Sequence, residues 1–402
     1  MATTTWRRDP DVLGGLVLLL AAGLALAWAN VPALNYREVW QAEAAVSVGP
    51  FESRHPVRDW VNEALMALFF LHVGLVLKRE VLEGDLSTRR KATLPAITAF
   101  GGMAVPVAFF LAFAWGTSGA RAWSAVLATD IAFSAMVLRL LARRVPPALL
   151  PFLLAVTILD DTVAVLIIAV VYTESVSFAW LAAAALLFAL LIWMDRSGVR
   201  HPVVFAFVAV LLWVAVFAAG LHATIAGVLA AIAIPLDPSH RRGFLGRVLH
   251  PAPRGRAEPR PGLAKNFEEA TAPWVTFMVL PLFALANAGV DVEMPSRGSL
   301  PLVAGIAAGL VLGKPLGVIG FALLAERFPW ASAPAGVKTR HLVALGLLSG
   351  IGFTMSIFFL ELAVPEEQRG PGTLAVLVSS LLVGLLGFAA LLIATRRPAP
   401  SG

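Results

Sequence analysis

The chain has 402 residues, of which 59% are hydrophobic and only 14% are charged, and its mean hydropathy is +0.82. A soluble domain carries about a quarter charged residues, so this composition predicts an integral membrane protein. The absence of cysteine excludes disulfides, thiolate metal sites and a cysteine nucleophile. The pI of about 10.3 reflects basic residues in short loops between apolar stretches, which membrane topology explains. Nucleic acid is therefore not an expected partner.

About twelve apolar stretches follow one another along the chain. The first, GGLVLLLAAGLALAWAN, also resembles a signal peptide, but it is longer than a typical signal-peptide core, so we expect a retained helix. The apolar run at residues 203–236 is too long for one helix, and a turn near Gly220 is predicted to divide it. The predicted spans are centred near residues 20, 70, 104, 132, 160, 186, 211, 229, 280, 313, 352 and 384.

Lysine and arginine are divided unequally between the two sides of the predicted membrane region. If the N-terminus is cytoplasmic, 24 of the 31 Lys and Arg residues lie on its side, 6 lie on the other side, and Lys314 lies within a span. This bias predicts that both termini are cytoplasmic. It also predicts a basic cytoplasmic loop at about residues 237–268.

Ionisable residues within the predicted spans are few. They are Asp130, Asp160, Asp161 and Lys314 near span centres, and Glu63, His72, His222 and Glu361 nearer span ends. A charge at the centre of a membrane helix costs about 2.5 to 3.5 kcal/mol on insertion scales, and such residues usually mark ion or proton pathways. The alternative is that each aspartate is a neutral or hydrogen-bonded structural group. Because neighbouring helix residues point about 100° apart, Asp160 and Asp161 cannot both face Lys314, and we expect different roles for them.

Two spans carry polar or flexible residues at their centres. The span GLLSGIGFTMSIFF contains Gly346, Ser349, Gly350 and Gly352, which predicts unwound backbone, or alternatively close helix packing through small residues. The span LATDIAFSAM contains no glycine, so nothing local predicts a break there. It does place Thr129 and Asp130 at mid-span.

Together these residues resemble the NhaA-type sodium/proton antiporters. The stretches that carry the resemblance are, in chain order, ALMALFFLHVGLVLKREVLEG, LATDIAF, ILDDTVAVLIIAVVYT, HATIAGV, LPLFALANAG, GKPLG and SGIGFTMSIF. The resemblance implies an all-α polytopic fold of about 12 transmembrane helices, with two crossed discontinuous helices. It implies a single transporter domain over residues 1–402, with inverted repeat units at about 92–173 and 301–395.

The resemblance also implies roles for the buried charges. Asp161 would be the principal Na⁺ ligand, with Thr129 nearby, and Asp160 would pair with Lys314 when Na⁺ is absent. Asp130 and Lys314 would offset the positive and negative ends of the crossed half-helices. Burial disfavours a charged carboxylate, so one that has lost its cation takes up a proton. Na⁺ or Li⁺ and H⁺ would then compete for one site, with no resident cofactor.

Other residues set the expected pH response and assembly. Glu63, His222, Glu268 and Glu269 resemble pH-responsive positions of the family, although a plain structural role is equally open. Val76 replaces the glutamate of the motif GLEVKRE, which puts the pH profile in doubt. His72 replaces an apolar residue. Residues 35–58 include a β-like AVSV run and a turn at Gly49–Pro50, where family members dimerise through a hairpin, so we expect a homodimer.

The expected function is therefore electrogenic Na⁺ (or Li⁺)/H⁺ exchange across a bacterial inner membrane, by a transporter rather than an enzyme. An intramembrane aspartyl protease also uses two membrane aspartates, but the Tyr-Asp and Gly-x-Gly-Asp motifs of that class are absent from this chain. A sodium-coupled symporter of an organic anion is the main alternative, because it can share a crossed-helix core.

Overall fold

The structure, a computed structural model, describes residues 9–48, 51–84, 86–172, 176–236, 262–328, 331 and 336–395. Within these residues the regular structure is helical apart from one short hairpin, and this confirms the predicted all-α membrane fold. The hairpin strands are β1 (Glu43–Val48) and β2 (Phe51–Pro56). The helices are α1 (Pro10–Ala29), α2 (Tyr36–Gln41), α3 (Val57–Leu82), α4 (Arg89–Ala114), a 3₁₀ helix (Ser118–Val126), α5 (Ile131–Leu140), α6 (Leu149–Val171), α7 (Phe178–Arg196), α8 (Pro202–Ala218), α9 (Thr224–Ala233), α10 (Leu263–Asn287), α11 (Leu300–Ala325), α12 (Thr339–Ser349), α13 (Phe353–Ala363) and α14 (Glu366–Ala394).

The helices account for every predicted span. Within the described residues, nine helical segments are long and apolar enough to cross a membrane, and the bent pair α12 and α13 makes a tenth. Helices α8 and α9 are shorter apolar helices that supply the remaining two predicted centres. They are divided where predicted, because α8 ends at Ala218 and Gly220 adopts a φ of 80°, which glycine allows without steric cost.

The chain forms two compact units. The first comprises Met1–Tyr36, Thr88–Ala164 and Ala284–Gly402. In it α4 and α11 pack so closely that the Gly101 carbonyl fills the space that a side chain at Gly317 would need. Small residues allow such approach between membrane helices. Most of the predicted repeat units, 92–173 and 301–395, falls in this unit, and their inverted symmetry stays a prediction.

The second unit comprises Arg37–Ser87 and Val165–Phe283. Helices α3 and α9 pack together in it, and Gly227 lies against the backbone at Ala67. Lys78, near the end of α3, is buried and donates to the carbonyls of Ala231, Ile232 and Ile234, so its ammonium caps the C-terminal end of α9.

The hairpin belongs to the second unit. Strands β1 and β2 are antiparallel, with Glu43 opposite Pro56 and Val48 opposite Phe51, as the AVSV run predicts. The predicted turn at Gly49–Pro50 lies outside the described residues. Most of the predicted cytoplasmic loop, residues 237–261, also lies outside them. Its last part is helical rather than loop, since α10 begins at Leu263 and contains Glu268 and Glu269.

Candidate functional site

Two interrupted spans meet within the first unit. The 3₁₀ helix ends at Val126 and α5 begins at Ile131, while α12 and α13 form a span bent by 41° between Ser349 and Phe353. The two breaks are hydrogen-bonded to each other: the Asp130 N–H donates to the Ile351 carbonyl over 2.7 Å. The predicted break at Ser349, Gly350 and Gly352 is therefore present. A second break, at residues 127–130, corresponds to the second discontinuous helix that the resemblance implies, although nothing in the local sequence predicted it.

Close backbone approach explains the glycines of the α12–α13 break. A Cβ at Gly350 would lie 2.5 Å from the carbonyl oxygen of Leu310 in α11. A Cβ at Gly352 would collide with the hydroxyl of Ser356. Glycine at position 350 thus lets the broken backbone lie directly against α11, and glycine at position 352 leaves room for the Ser356 side chain.

Asp130 lies at the N-terminal ends of two helices. Its Oδ1 accepts a hydrogen bond from the Phe133 N–H over 3.0 Å, which makes Asp130 the N-cap of α5. Its Oδ2 accepts from the Thr354 N–H at 3.1 Å and from the Thr354 hydroxyl at 2.5 Å, at the start of α13. One buried carboxylate therefore faces the positive ends of both α5 and α13. Thr354 was not singled out from the sequence, although it stands in the quoted SGIGFTMSIF stretch.

Lys314 lies near the opposite, carbonyl-rich end of the first break. Its Nζ is 2.8 Å from Asp160 Oδ2, and both side chains are 0% exposed. The same ammonium donates to the Leu127 carbonyl, just beyond the last turn of the 3₁₀ helix. Lys314 therefore compensates both a carboxylate and a helix C-terminus. Gly102 lies beside this pair, because a Cβ there would be 4.0 Å from Asp160 Oδ2 and from Lys314 Cε.

Thr129 connects this ion pair to the second break. Its hydroxyl oxygen lies 2.9 Å from the Ser349 carbonyl oxygen and 3.4 Å from Asp160 Oδ2. A single hydroxyl proton serves one of these acceptors at a time. The backbone carbonyls at Leu127 and Ser349, which were not named from the sequence, thus lie within the same polar cluster.

Asp161 differs from its neighbour in having no such partners. It is 2% exposed, and within the described residues neither of its carboxylate oxygens has a hydrogen-bond partner; Asp160 Oδ1 likewise has none. Burying a carboxylate without a partner is costly, and a buried polar group without one is uncommon in folded proteins. These oxygens form an anionic position that a cation or a proton would neutralise.

The residues predicted to respond to pH occupy two places in the second unit. Glu63 Oε2 accepts from the Ala223 N–H at 2.8 Å and its Oε1 lies 3.3 Å from His222 Nδ1, so the predicted pair is brought together at the start of α9. Glu268 forms an ion pair with Arg79 at 3.1 Å, whereas Glu269 is exposed and lies 3.7 Å from Lys265.

Two more predicted positions lie on α3, and Glu361 lies in α13. His72 Nδ1 is 2.9 Å from the Thr271 hydroxyl, so this histidine is a packed contact between α3 and α10. Val76 is half-buried on α3. Glu361 is buried and forms an ion pair with Arg369 at 3.2 Å.

The polytopic fold, with buried opposite charges where two interrupted helices meet, defines an ion-coupled membrane transporter. The chain matches the sequence profile of the Na⁺/H⁺ antiporter 1 family over residues 8–391, and it belongs to that family.

Curated relatives carry antiporter names. The chain is 42% identical over 389 residues to the Na(+)/H(+) antiporter NhaA of Cronobacter sakazakii, covering 95% of each protein. It is 43% identical over 401 residues to that of Rhodospirillum rubrum, covering 97% of this chain and 96% of the relative. The solved structure of the sodium proton antiporter MjNhaP1 from Methanocaldococcus jannaschii matches 94% of this chain and 97% of its own, with a TM-score of 0.50 and 14% identity, which supports the fold alone. The symporter alternative has no support from these relatives.

Proposed function

We propose that the protein exchanges Na⁺ for H⁺ across the membrane and that Asp161 binds the two ions in turn. The main support is the buried Asp161 carboxylate, whose two oxygens lack partners within the described residues. Family membership and the antiporter names of the relatives support the same exchange.

Competition for one carboxylate couples the two ions. Na⁺ and Li⁺ are hard cations that favour carboxylate and carbonyl oxygens, as other hard cations do. The oxygens that could coordinate such a cation are those of the Asp161 carboxylate, Oδ1 of Asp160 and the hydroxyl of Thr129. In a buried site the carboxylate is neutralised either by Na⁺ or by a proton, so binding of one ion expels the other. Alternating access of the site to the two sides then produces exchange.

The Asp160–Lys314 pair makes the exchange electrogenic in this proposal. In this scheme one Na⁺ binds while both Asp160 and Asp161 are ionised. When the site returns without Na⁺, two groups among Asp160, Asp161 and Lys314 take up protons. More protons than sodium ions therefore cross in each cycle. The membrane potential supplies about 2.3 kcal/mol per charge per 100 mV and would drive Na⁺ extrusion. The second proton belongs to the coupled pair as a unit.

The setting of the protein completes the proposal. We assign it to a bacterial inner membrane with both termini cytoplasmic, on the strength of the uneven Lys and Arg distribution. We also propose a homodimer through the hairpin segment 35–58, whose two paired strands form an extended edge in the second unit. Glu63 with His222, and Glu268 with Arg79, are the pairs through which pH would act.

Dye fluorescence in inverted vesicles tests the exchange and its cation. A pH-sensitive dye is quenched by respiration-driven acidification, and we expect NaCl or LiCl, but not KCl, to reverse the quenching. Asp161→Asn keeps the shape of the side chain but removes its charge, so this variant should give no Na⁺ response. The matched control is Asp11→Asn, a half-exposed aspartate at the start of α1, which should respond as the wild type does. An equal response to K⁺, or a normal Na⁺ response in Asp161→Asn, would contradict the proposal.

A further inference from the structure

Helix α6 carries four polar side chains in an otherwise apolar sequence: Thr157, Asp160, Asp161 and Thr162. The two aspartates belong to the ion site, and Thr162 is half-buried. Thr157 is 0% exposed and lies one turn before the aspartates, in the same compact unit. In the topology predicted from Lys and Arg, α6 begins at the cytoplasmic side, so Thr157 lies on the cytoplasmic side of the two carboxylates.

Helix geometry places Thr157 between the directions of the two carboxylates. It precedes Asp160 by three residues and Asp161 by four. At about 100° per residue, it points about 60° away from Asp160 on one side and about 40° away from Asp161 on the other. Side chains at these spacings are neighbours on the helix surface, with Cβ atoms about 5 to 6 Å apart. Hard cations such as Ca²⁺ bind oxygens at about 2.3 to 2.6 Å, so two oxygens about 5 Å apart can share one cation.

The Thr157 hydroxyl uses its proton on the backbone, which leaves its oxygen able to bind a cation. The hydroxyl donates to the Leu153 carbonyl at 3.0 Å or to the Leu154 carbonyl at 3.1 Å. A hydroxyl has one proton and two lone pairs, so the lone pairs remain for another partner. Three carboxylate oxygens one turn away have no hydrogen-bond partner within the described residues, namely both oxygens of Asp161 and Oδ1 of Asp160. A cation at these carboxylates therefore meets the lone pairs of the Thr157 oxygen rather than its proton.

We propose that the Thr157 hydroxyl oxygen is a further ligand of the transported Na⁺, which it binds together with the Asp161 carboxylate. This inference rests on the proposed exchange of Na⁺ for H⁺ at Asp161. Hard cations favour oxygen ligands, and an uncharged oxygen adds affinity for Na⁺ without adding another buried negative charge. Because Thr157 lies on the cytoplasmic side of the aspartates in the predicted topology, Na⁺ that enters from the cytoplasm reaches this oxygen before the carboxylates.

Na⁺-dependent exchange by the full-length protein in proteoliposomes tests this ligand. Thr157→Val keeps the branched shape but removes the oxygen, and the KM for Na⁺ should rise about ten-fold or more, as expected for the loss of a polar contact to a charged group. The kcat at saturating Na⁺ and the thermal unfolding temperature in detergent should change little, since the lost contact is one of binding. Thr157→Ala removes the same oxygen and should raise the KM equally. Thr157→Ser keeps the oxygen and should have a KM near that of the wild type.

Thr162→Val is the matched control. Thr162 also donates within α6, to the Ile158 carbonyl at 2.6 Å, but it points about 140° away from Thr157, so this variant should keep the wild-type KM for Na⁺. An unchanged KM in Thr157→Val and Thr157→Ala, an equal rise in Thr162→Val, or a raised KM in Thr157→Ser would overturn the inference. If Asp161→Asn has lost its Na⁺ response in the same assay, the proposed function stands in each of these cases. A normal Na⁺ response in Asp161→Asn would refute the proposed function and this inference with it.

Discussion

Two adjacent residues of the same type have different surroundings in this protein. Asp160 accepts from Lys314 at 2.8 Å and lies 3.4 Å from the Thr129 hydroxyl. Asp161 is equally deep, yet within the described residues its carboxylate has no hydrogen-bond partner. The difference follows from helix geometry, because a rotation of about 100° per residue turns one carboxylate toward Lys314 and the other away from it. At the residue scale, one aspartate is compensated by a lysine, and the other is the carboxylate to which we assign the transported ion in the proposed function.

The Asp160–Lys314 pair gives a stability prediction. Lys314→Ala leaves a buried carboxylate uncompensated and should lower thermal stability in detergent, since breaking a buried pair costs about 3 to 5 kcal/mol. Asp160→Asn combined with Lys314→Gln should recover much of this loss, because no unpaired charge remains. Lys265→Ala, at an exposed ion pair, is the control and should have little effect. A double variant as unstable as Lys314→Ala would mean that the two residues are not partners.

The same double variant tests where the second proton is carried. If the pair carries it, the stable double variant should still exchange Na⁺ through Asp161 but should no longer respond to an imposed membrane potential. Transport would be measured in proteoliposomes with and without a potassium diffusion potential. Continued electrogenic exchange would place the second proton on another group.

At the scale of elements, the site consists of helix ends that need compensating charge. Asp130 accepts hydrogen bonds at the start of both α5 and α13, and Lys314 donates at the end of the 3₁₀ helix. The break in α12–α13 could be predicted because serine and glycines interrupt an apolar span. The break at 127–130 was expected only from the family resemblance, because the span LATDIAFSAM contains no glycine or proline to interrupt it. Bonds to Ser349 and Ile351, more than 200 residues away, hold that break open.

One signal of the second break was nevertheless present in the sequence. Aspartate is a preferred N-cap, and Asp130 directly precedes the helical run IAFSAM. The stretch around Asp130 is, however, apolar and long enough to cross the bilayer. Its hydropathy therefore predicts one continuous helix, and this outweighs the N-cap preference of a single aspartate. The hydrogen bond from the Thr354 hydroxyl to Asp130 joins residues that are far apart in the sequence, so local sequence patterns could not predict it.

The Thr354 contact gives a prediction at this scale. Thr354→Val removes the hydroxyl that donates to Asp130, so the free energy of unfolding should fall by about 1.5 to 3 kcal/mol, the range for a hydrogen bond to a charged group. Thermal unfolding in detergent measures the effect. Thr93→Val, which removes an exposed hydroxyl bonded within its own helix, is the control and should change stability much less. An equal change in both variants would contradict a special role of the Thr354 hydroxyl.

At the scale of the whole molecule, hydropathy predicted the spans well because each apolar stretch is long and is bounded by polar loops. Even the division at Gly220 followed from length alone. The grouping of helices into two compact units depends instead on packing between distant segments, such as Gly317 against Gly101. That packing leaves no local signal in the sequence.

The membrane orientation can be tested with single cysteines, since the natural chain has none. Ser197→Cys, in the exposed turn between α7 and α8, is predicted to be cytoplasmic, and Ser118→Cys, after α4, is predicted to be on the outer side. A membrane-impermeant maleimide should label the Ser118→Cys variant in intact cells and the Ser197→Cys variant only after permeabilisation. The reverse pattern would invert the proposed topology.

The central claim is that one carboxylate binds Na⁺ and H⁺ by turns, and proton release on Na⁺ binding tests it most directly. Calorimetric titration of the purified protein with NaCl, repeated in buffers of different ionisation enthalpy, counts the protons released per Na⁺ bound. We expect proton release in the wild type and in Asp11→Asn, and neither Na⁺ binding nor proton release in Asp161→Asn. Na⁺ binding without proton release in the wild type, or undiminished Na⁺ binding in Asp161→Asn, would contradict the claim.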